Sequence, residues 1–525
     1  MSKPSTRPNR EEIKQQRKAR KKQQRRLREQ QQESGLAPLT PPSIPNTCSA
    51  YNTIEEETQG RVEATLGLAR ILKTNWPILL RRLNKIPDPR SPKMIKHKLT
   101  MLMLYGILSF MLHIGSRREA NRTITHPMIE ENLRRLFPDI DSIPHADTLF
   151  RLLSRIDVDE IEQAQVDLVN ELIRKKKFNP FRINNAYPVA IDGTKKLGGL
   201  ELWDEALLQH RIPSASQASD HENPSDDQQE AAEQYRYSVY VLEANLSFQN
   251  GMVIPLMTEF LDYREGDSER KKQDCEVRAF HRLAERIKQA FPRLPIMMLL
   301  DGLYAQGPVM QRCLEYNWQF MIVLKDASLS TVWEEYDLLV ERQADNEHHQ
   351  KWGERRQQFR WVNDIRYEYG PNGKKHLPLH VVVCEEQWEV VDANNQITSK
   401  TSRHAWISSR PLHKANVHQR CNLAARYRWG IESHFLVEKH QGYSYGHLFA
   451  KDWDAMRGYH YLMRIGHLIN TLARFSSVLA PVIQRMGVRP FIDFLRTTLS
   501  GLWFDAFGLD AVSSILERPF RLRFV

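Results

Sequence analysis

The chain has 525 residues, enough for two or three domains with a sizeable buried core. Lys and Arg total 75 against 64 Asp and Glu, a net charge of +11 with a pI near 9.3, which favours a polyanionic partner without requiring one. Five cysteines (Cys48, Cys275, Cys313, Cys384, Cys421) lie far apart with no CxxC pair, which argues against a disulfide framework or a structural zinc site and suits a reducing cytosol.

Residues 1–35 carry much of the charge excess, in runs such as Arg17-Lys18-Ala19-Arg20-Lys21-Lys22. A solvated tail and a phosphate-binding arm are compatible readings of that run. With the Pro/Ser/Thr stretch that follows, residues 1–54 are expected to be a disordered basic tail and linker, too polar for a secretory signal. From 55 to 180 the apolar spacing is helical, as in Val62-Ala64-Leu66-Leu68-Ile71-Leu72 and Leu149-Leu152-Leu153-Ile156, and predicts an all-helical N-terminal domain. Its most apolar stretch, Leu99 to Ile114, is short for a membrane span and reads as a buried core helix. Arg151 and Arg155, on the predicted helix 146–156, are candidates for contact with DNA ends.

The pattern then changes. Tyr187 to Asp192 reads as a buried strand ending in a polar turn, and a disordered insertion is expected over about 198–233. Tyr235–Phe248 and Met252–Phe260 read as strands joined at Asn250-Gly251, a hairpin signal. A helix over 268–290, a strand over 296–300 running into Asp301-Gly302, a helix over 309–316 and a strand over 318–324 complete the series. Three leading strands followed by alternating helices and strands is the order of a ribonuclease H-like sheet. The fold class expected is therefore an α/β ribonuclease H-like core, its first part at 181–349, with a β-rich insertion at 350–412. The remainder of the core is placed at 413–475 and a helical tail at 476–525.

Two predicted strands each end in Asp-Gly, at Asp192-Gly193 and Asp301-Gly302. A single Asp-Gly of this kind is ordinary turn chemistry. Two at matching places in one inferred sheet point to a site at the sheet's carboxyl edge, where magnesium would find the hard oxygen ligands it prefers. A third carboxylate comes from the predicted helix 416–440. At about 100° per residue, Glu432 lies about 40° from Arg428 and Lys439 about 20° from Glu432, so one face carries a carboxylate between two cations. An exposed salt-bridge face would show the same spacing, but Trp429, Ile431, Phe435 and Leu436 suggest a groove.

Arg428, Glu432 and Lys439 resemble the Tyr-Arg-Glu-Lys signature of bacterial insertion-sequence transposases with a DDE catalytic triad. Both later spacings match, and Ala425 stands at the Tyr position. Ile191-Asp192-Gly193-Thr194 and Leu300-Asp301-Gly302 are similar to the family's first and second acidic motifs. The resemblance spans roughly 185–475. It implies a catalytic and metal-binding triad of Asp192, Asp301 and Glu432 holding two Mg2+ (or Mn2+) ions, with Asp192 shared between them. It also implies Arg428 and Lys439 as DNA-phosphate contacts. The activity implied is cleavage of DNA at transposon ends and strand transfer into target DNA. Double-stranded DNA is the implied partner, and the protein would be dimeric on it, cytoplasmic and nucleoid-associated. A ribonuclease H-like nuclease without strand transfer and a non-catalytic DNA-binding derivative are the alternatives.

Other side chains compete for roles. Asp262, Glu265, Asp267, Glu269, Asp274 and Glu276 read as a solvated loop and helix face. Trp352, Trp361, Trp388 and Trp406 read as packing residues, any of which could instead stack on a displaced base. His434, His440, His447, His460 and His467 read as packing or DNA-contact residues, since magnesium does not require them.

Overall fold

The computed structural model describes residues 49–137, 140, 142–211, 235–261, 272–391, 397–505 and 508–525, with isolated positions nearer the N-terminus. Most of the basic tail, the acidic loop from Ser214, the acids Asp262, Glu265, Asp267 and Glu269, and the turn at Asn394-Asn395 lie outside the described residues. In chain order the helices are α1 (Ile54–Leu83), α2 (Leu99–Met111), α3 (Arg117–Ile124), α4 (Pro127–Leu136), α5 (Ala146–Leu153) and α6 (Asp159–Arg174). Strands β1 (Tyr187–Gly199), β2 (Leu208–Arg211), β3 (Tyr235–Ser247) and β4 (Val253–Leu261) come next, then α7 (Lys272–Ala290) and β5 (Ile296–Leu300). There follow α8 (Gly307–Glu315), β6 (Gln319–Val323), α9 (Ser330–Val340), β7 (Glu347–Trp352), β8 (Arg355–Tyr369), β9 (Lys375–Val391) and β10 (Ile397–Ser408). Helices α10 (Trp429–His440), α11 (Trp453–Arg474), α12 (Ala480–Met486), α13 (Val488–Leu499) and α14 (Leu509–Glu517) close the chain.

The chain divides into two compact units. The larger holds Ile44–Leu299, Glu315–Trp318 and Tyr427–Val525, so the helices of 55–180 share a unit with β1–β4 and the C-terminal helices. Its strand order is β2-β3-β1-β5, with β4 also paired to β3. β1 runs antiparallel to β3 and parallel to β5. Asn250-Gly251 turns the β3–β4 hairpin, with Gly251 at φ +82°, a backbone region that favours glycine. Leu208–Arg211 forms a strand on β3 within the stretch expected to be disordered. The periodicity places no strand there because four residues with Gln209, His210 and Arg211 carry no apolar alternation.

Helix α1 starts at Thr53, whose side chain accepts from the Glu56 N–H, and three glutamates in its first turn favour the positive end of the helix dipole. Helix α2 is buried nearly all round, as a core helix should be. Among the described residues, no helix is long and apolar enough to cross a membrane. Helix α6 ties the helical segment to the sheet. Glu162 accepts from the Thr258 N–H at 2.6 Å and pairs with Arg286, while the Gln165 amide donates to the carbonyls of Pro255 and Leu256 at 3.2 and 3.1 Å.

The smaller unit holds Leu300–Leu314 and Gln319–Arg426. Its antiparallel order is β6-β10-β9-β8-β7. Trp352, Trp361 and Trp406 are buried in it, the packing role read from the sequence, while Arg355 stacks 4.0 Å over the half-buried Trp388 ring. The buried Glu386 gathers Arg355, Arg426, Gln357 and Ser402, and is held down at about 2 because His404 and Arg426 outweigh the burial that would raise it.

Candidate active site

Asp192 does not end its strand. β1 continues to Gly199, and Asp192 lies opposite Glu243 of β3. The parallel pairing with β5 does stop short, its last partners being Ala190 and Leu299. The polar run after Asp192, which reads as a turn, stays extended because β3 continues to pair with it on the other side. Asp192 keeps 21% of its side chain exposed. The next residue, Gly193, faces the opposite side of the strand. A Cβ there would stand 2.8 Å from the Tyr240 ring and 3.1 Å from the Glu276 carboxyl carbon.

The segment read as one helix from 416 is in fact broken. A π turn over Gln419–Ala424 and a 3-10 turn over Ala425–Arg428 precede α10. Ala425, at the signature's Tyr position, is buried. Gly430 then brings α10 directly onto β3, because a Cβ on it would overlap the Ser247 hydroxyl, which itself bonds the Tyr427 carbonyl. Of the apolar company expected to line a groove, Ile431 and Phe435 are buried, whereas Trp429 and Leu436 are exposed. The helix rests on the sheet by one edge and leaves the other in solvent.

This seating brings four of the five expected site residues together. The Arg428 guanidinium, 5% exposed, reaches Glu432 at 2.8 Å and stands 3.8 Å from Asp192. Lys439 donates to the Thr194 hydroxyl at 2.5 Å, two residues beyond Asp192 on the same strand face. Two carboxylates thus share one guanidinium, whose Nε and Nη1 have no hydrogen bond among the described residues. Hard carboxylate oxygens gathered around one positive charge are a donor set suited to a divalent cation, which would take over that neutralising role. Asp301 belongs to the smaller unit. It follows β5, its carboxylate accepts from the Gly302 N–H at the start of a 3-10 turn, and Lys325 pairs with it at 3.1 Å. Strand-end placement holds for Asp301, then, and not for Asp192.

Two features escape the sequence reading. Glu276, taken with the solvated acids, is 6% exposed, and the Tyr240 hydroxyl bonds it. Burial, Glu276 and Asp192 together push that phenol well above its ordinary range. The second feature is a buried polar layer made by Glu243 and Asn245 of β3, Lys196 of β1, Glu438 and His434 of α10, and His460, Arg464 and His467 of α11. His460, Arg464 and His467 recur at helical spacing on one face of α11, which was the available signal. Burial pushes the imidazoles down, His467 to about 3. Burial alone would raise Glu438, but His434 and Arg464 hold it well below the usual carboxylate range.

Residues 80–169 match the family model described as DDE_Tnp_1-associated, which indicates a DDE-type transposase family. No curated protein matches the sequence.

Proposed function

We propose that the protein is a DNA transposase that cleaves DNA at transposon ends and joins the freed 3′ ends to target DNA, on a ribonuclease H-like core. The observation that carries this reading is the seating of α10 on β1. It sets Arg428, Glu432 and Lys439, at the signature's spacings, beside Asp192 and Thr194. With the short β2 set aside, the strand, strand, strand, helix, strand order of β1, β3, β4, α7 and β5 supports the core assignment, and the match at 80–169 supports the transposase reading.

Asp192, Asp301 and Glu432 would hold two divalent metal ions, Mg2+ or Mn2+. When bound, such ions activate the attacking oxygen and stabilise the leaving one. The chain's own groups do the rest. Arg428 presents a planar fork suited to two phosphate oxygens, and its Nε and Nη1 have no hydrogen bond among the described residues. Lys439 adds a point charge about three turns further along, near the C-terminal end of α10. Both cations favour a polyanionic backbone in a register that leaves the scissile phosphate at the carboxylates. Bringing two transposon ends together requires a dimer on double-stranded DNA.

The test is nicking of terminal-repeat DNA with Mg2+ or Mn2+. Asp192→Asn, Asp301→Asn and Glu432→Gln are each expected to abolish nicking while leaving DNA binding largely intact. Wild-type nicking rates in any of the three would remove that residue from the catalytic set. A strand-transfer assay with pre-cleaved ends separates a transposase from a simple nuclease.

A further inference from the structure

The buried polar layer on the face of β1 and β3 that carries Asp192 has a geometry that bears on the site beside it. Arg464 of α11 is 1% exposed, and its Nη1 bridges two carboxylates, pairing with Glu243 and standing 3.3 Å from Glu438. Its Nη2 donates to Asn245. Glu243 is the residue paired with Asp192 across the β1–β3 ladder, and Asn245 is paired with Ala190. Glu438 lies on α10 beside Lys439 and six residues beyond Glu432. One guanidinium therefore spans from the strand partner of Asp192 to the helix that carries Glu432 and Lys439. Tyr445 and Lys196 extend the layer. The Tyr445 hydroxyl donates to Glu243 at 3.2 Å, Lys196 donates to the Tyr445 carbonyl at 3.1 Å, and the Tyr445 N–H donates to the Glu438 carbonyl at 3.2 Å.

A hydrophobic contact between α10 and the sheet would hold the helix on but would tolerate sliding. Hydrogen-bonded charges with directional partners at both ends do not, because a shift of about 1 Å leaves a buried ion without its partner. We propose that Arg464, held between Glu243 and Glu438, is a positioning residue that fixes α10 in register against β1 and so sets where Glu432 and Lys439 stand relative to Asp192. This rests on the transposase reading of the site.

A metal centre is the competing account of the same residues. His434 Nε2, Glu438 and His467 Nδ1 converge within 4.8 Å of one another, and the two imidazoles stack 4.0 Å apart. The Glu438 oxygen that both imidazoles face, at 3.0 and 2.9 Å, is also the one Arg464 approaches at 3.3 Å. A divalent cation there would be repelled by a buried guanidinium that has nowhere to retreat. The Glu438 oxygen that the cluster would offer a metal is thus already shared with Arg464.

The decisive variant is the neutralised triple Glu243→Gln, Glu438→Gln, Arg464→Met, which removes the guanidinium together with both carboxylates it bridges, keeps the volume, and leaves Lys196 as the remaining cation of the layer. Arg464→Lys, which keeps the charge but loses the fork, serves as a second variant if the triple does not fold. Each is compared with the full-length wild-type protein for melting temperature, Mn2+ affinity in the absence of DNA, and nicking of terminal-repeat DNA. The expected result is a folded triple variant whose Mn2+ binding weakens on the order of tenfold. Its nicking kcat falls on the order of 10²-fold with little change in KM for DNA, the cost of misplacing reacting groups by about 1 Å. Arg464→Lys should fall between the triple and the wild type. Unchanged Mn2+ affinity and unchanged nicking in a folded variant would overturn the proposal, and so would stoichiometric zinc in the purified wild-type protein. If the wild type does not nick at all, the transposase reading fails by itself. The Mn2+ comparison then still decides the positioning role.

Discussion

Removing Arg428 should move metal affinity and catalysis in opposite directions. The guanidinium lies 2.8 Å from Glu432 and 3.8 Å from Asp192, so, on the proposed transposase reading, a metal ion entering between those carboxylates would have to take its place. A unit charge pair about 3 Å apart is worth roughly 6 kcal/mol at an effective dielectric of about 20. The Glu432 side chain is 37% exposed, and solvent screening reduces the net interaction to about 1–2 kcal/mol. Arg428→Met releases that interaction and leaves two carboxylates repelling each other, so Mn2+ should bind roughly 5- to 30-fold more tightly. The same change removes the fork offered to the DNA phosphate, and nicking should fall on the order of 10²-fold. Calorimetric titration of metal-free, DNA-free protein with Mn2+, beside a nicking assay, measures both. A variant that loses nicking through misfolding would bind metal less well. Unchanged or weaker Mn2+ binding in folded Arg428→Met would refute the idea that this guanidinium holds the metal site's place.

Two further outcomes test the frame of the site. Gly430→Ala places a methyl group against the Ser247 hydroxyl and should cost about 1–3 kcal/mol by overpacking, with nicking reduced as α10 lifts from β3. Adding Ser247→Ala removes the clashing oxygen and should recover part of the loss, and strictly additive effects would show that the two residues do not meet. Acid should destabilise the fold. Burial holds His113 and His467 at about 3, against 6.5 for an ordinary imidazole, so between those values the unfolded chain takes up protons that the folded chain does not. That stability is complete above about pH 6.5 and is lost as the pH falls towards 3. Glu386, held at about 2, acts in the same direction below 4.5. Glu162, raised by burial to about 6, opposes them, since its contribution is present below 4.5 and is lost as the pH rises past 6. Melting curves recorded from pH 7 to 4 should therefore fall, less steeply in His467→Asn; equal melting temperatures at both ends would contradict the burial of neutral imidazoles.

The sequence alone determined the elements whose signals are local. Helical periodicity marked α1–α6, the apolar runs marked β1 and β5, and Asn250-Gly251 marked its hairpin, because backbone preference and one buried face are written into neighbouring residues. The Arg428–Glu432 pair was legible for the same reason, since their separation survives the change to a helix start at Trp429. What only the tertiary structure decided depends on partners distant in sequence. Asp192 lies within a strand rather than at its end because β3 pairs with the polar residues that follow it. Glu276 is buried because Gly193 leaves space and Tyr240 supplies a hydroxyl, neither of which is visible from helix α7. The layer around Arg464 draws residues from β1, β3, α10 and α11, and no spacing within a single element could announce that those charges face one another. Periodicity tells which side of an element is buried. What that side meets, and hence whether a buried charge is paired, is decided only when the elements pack.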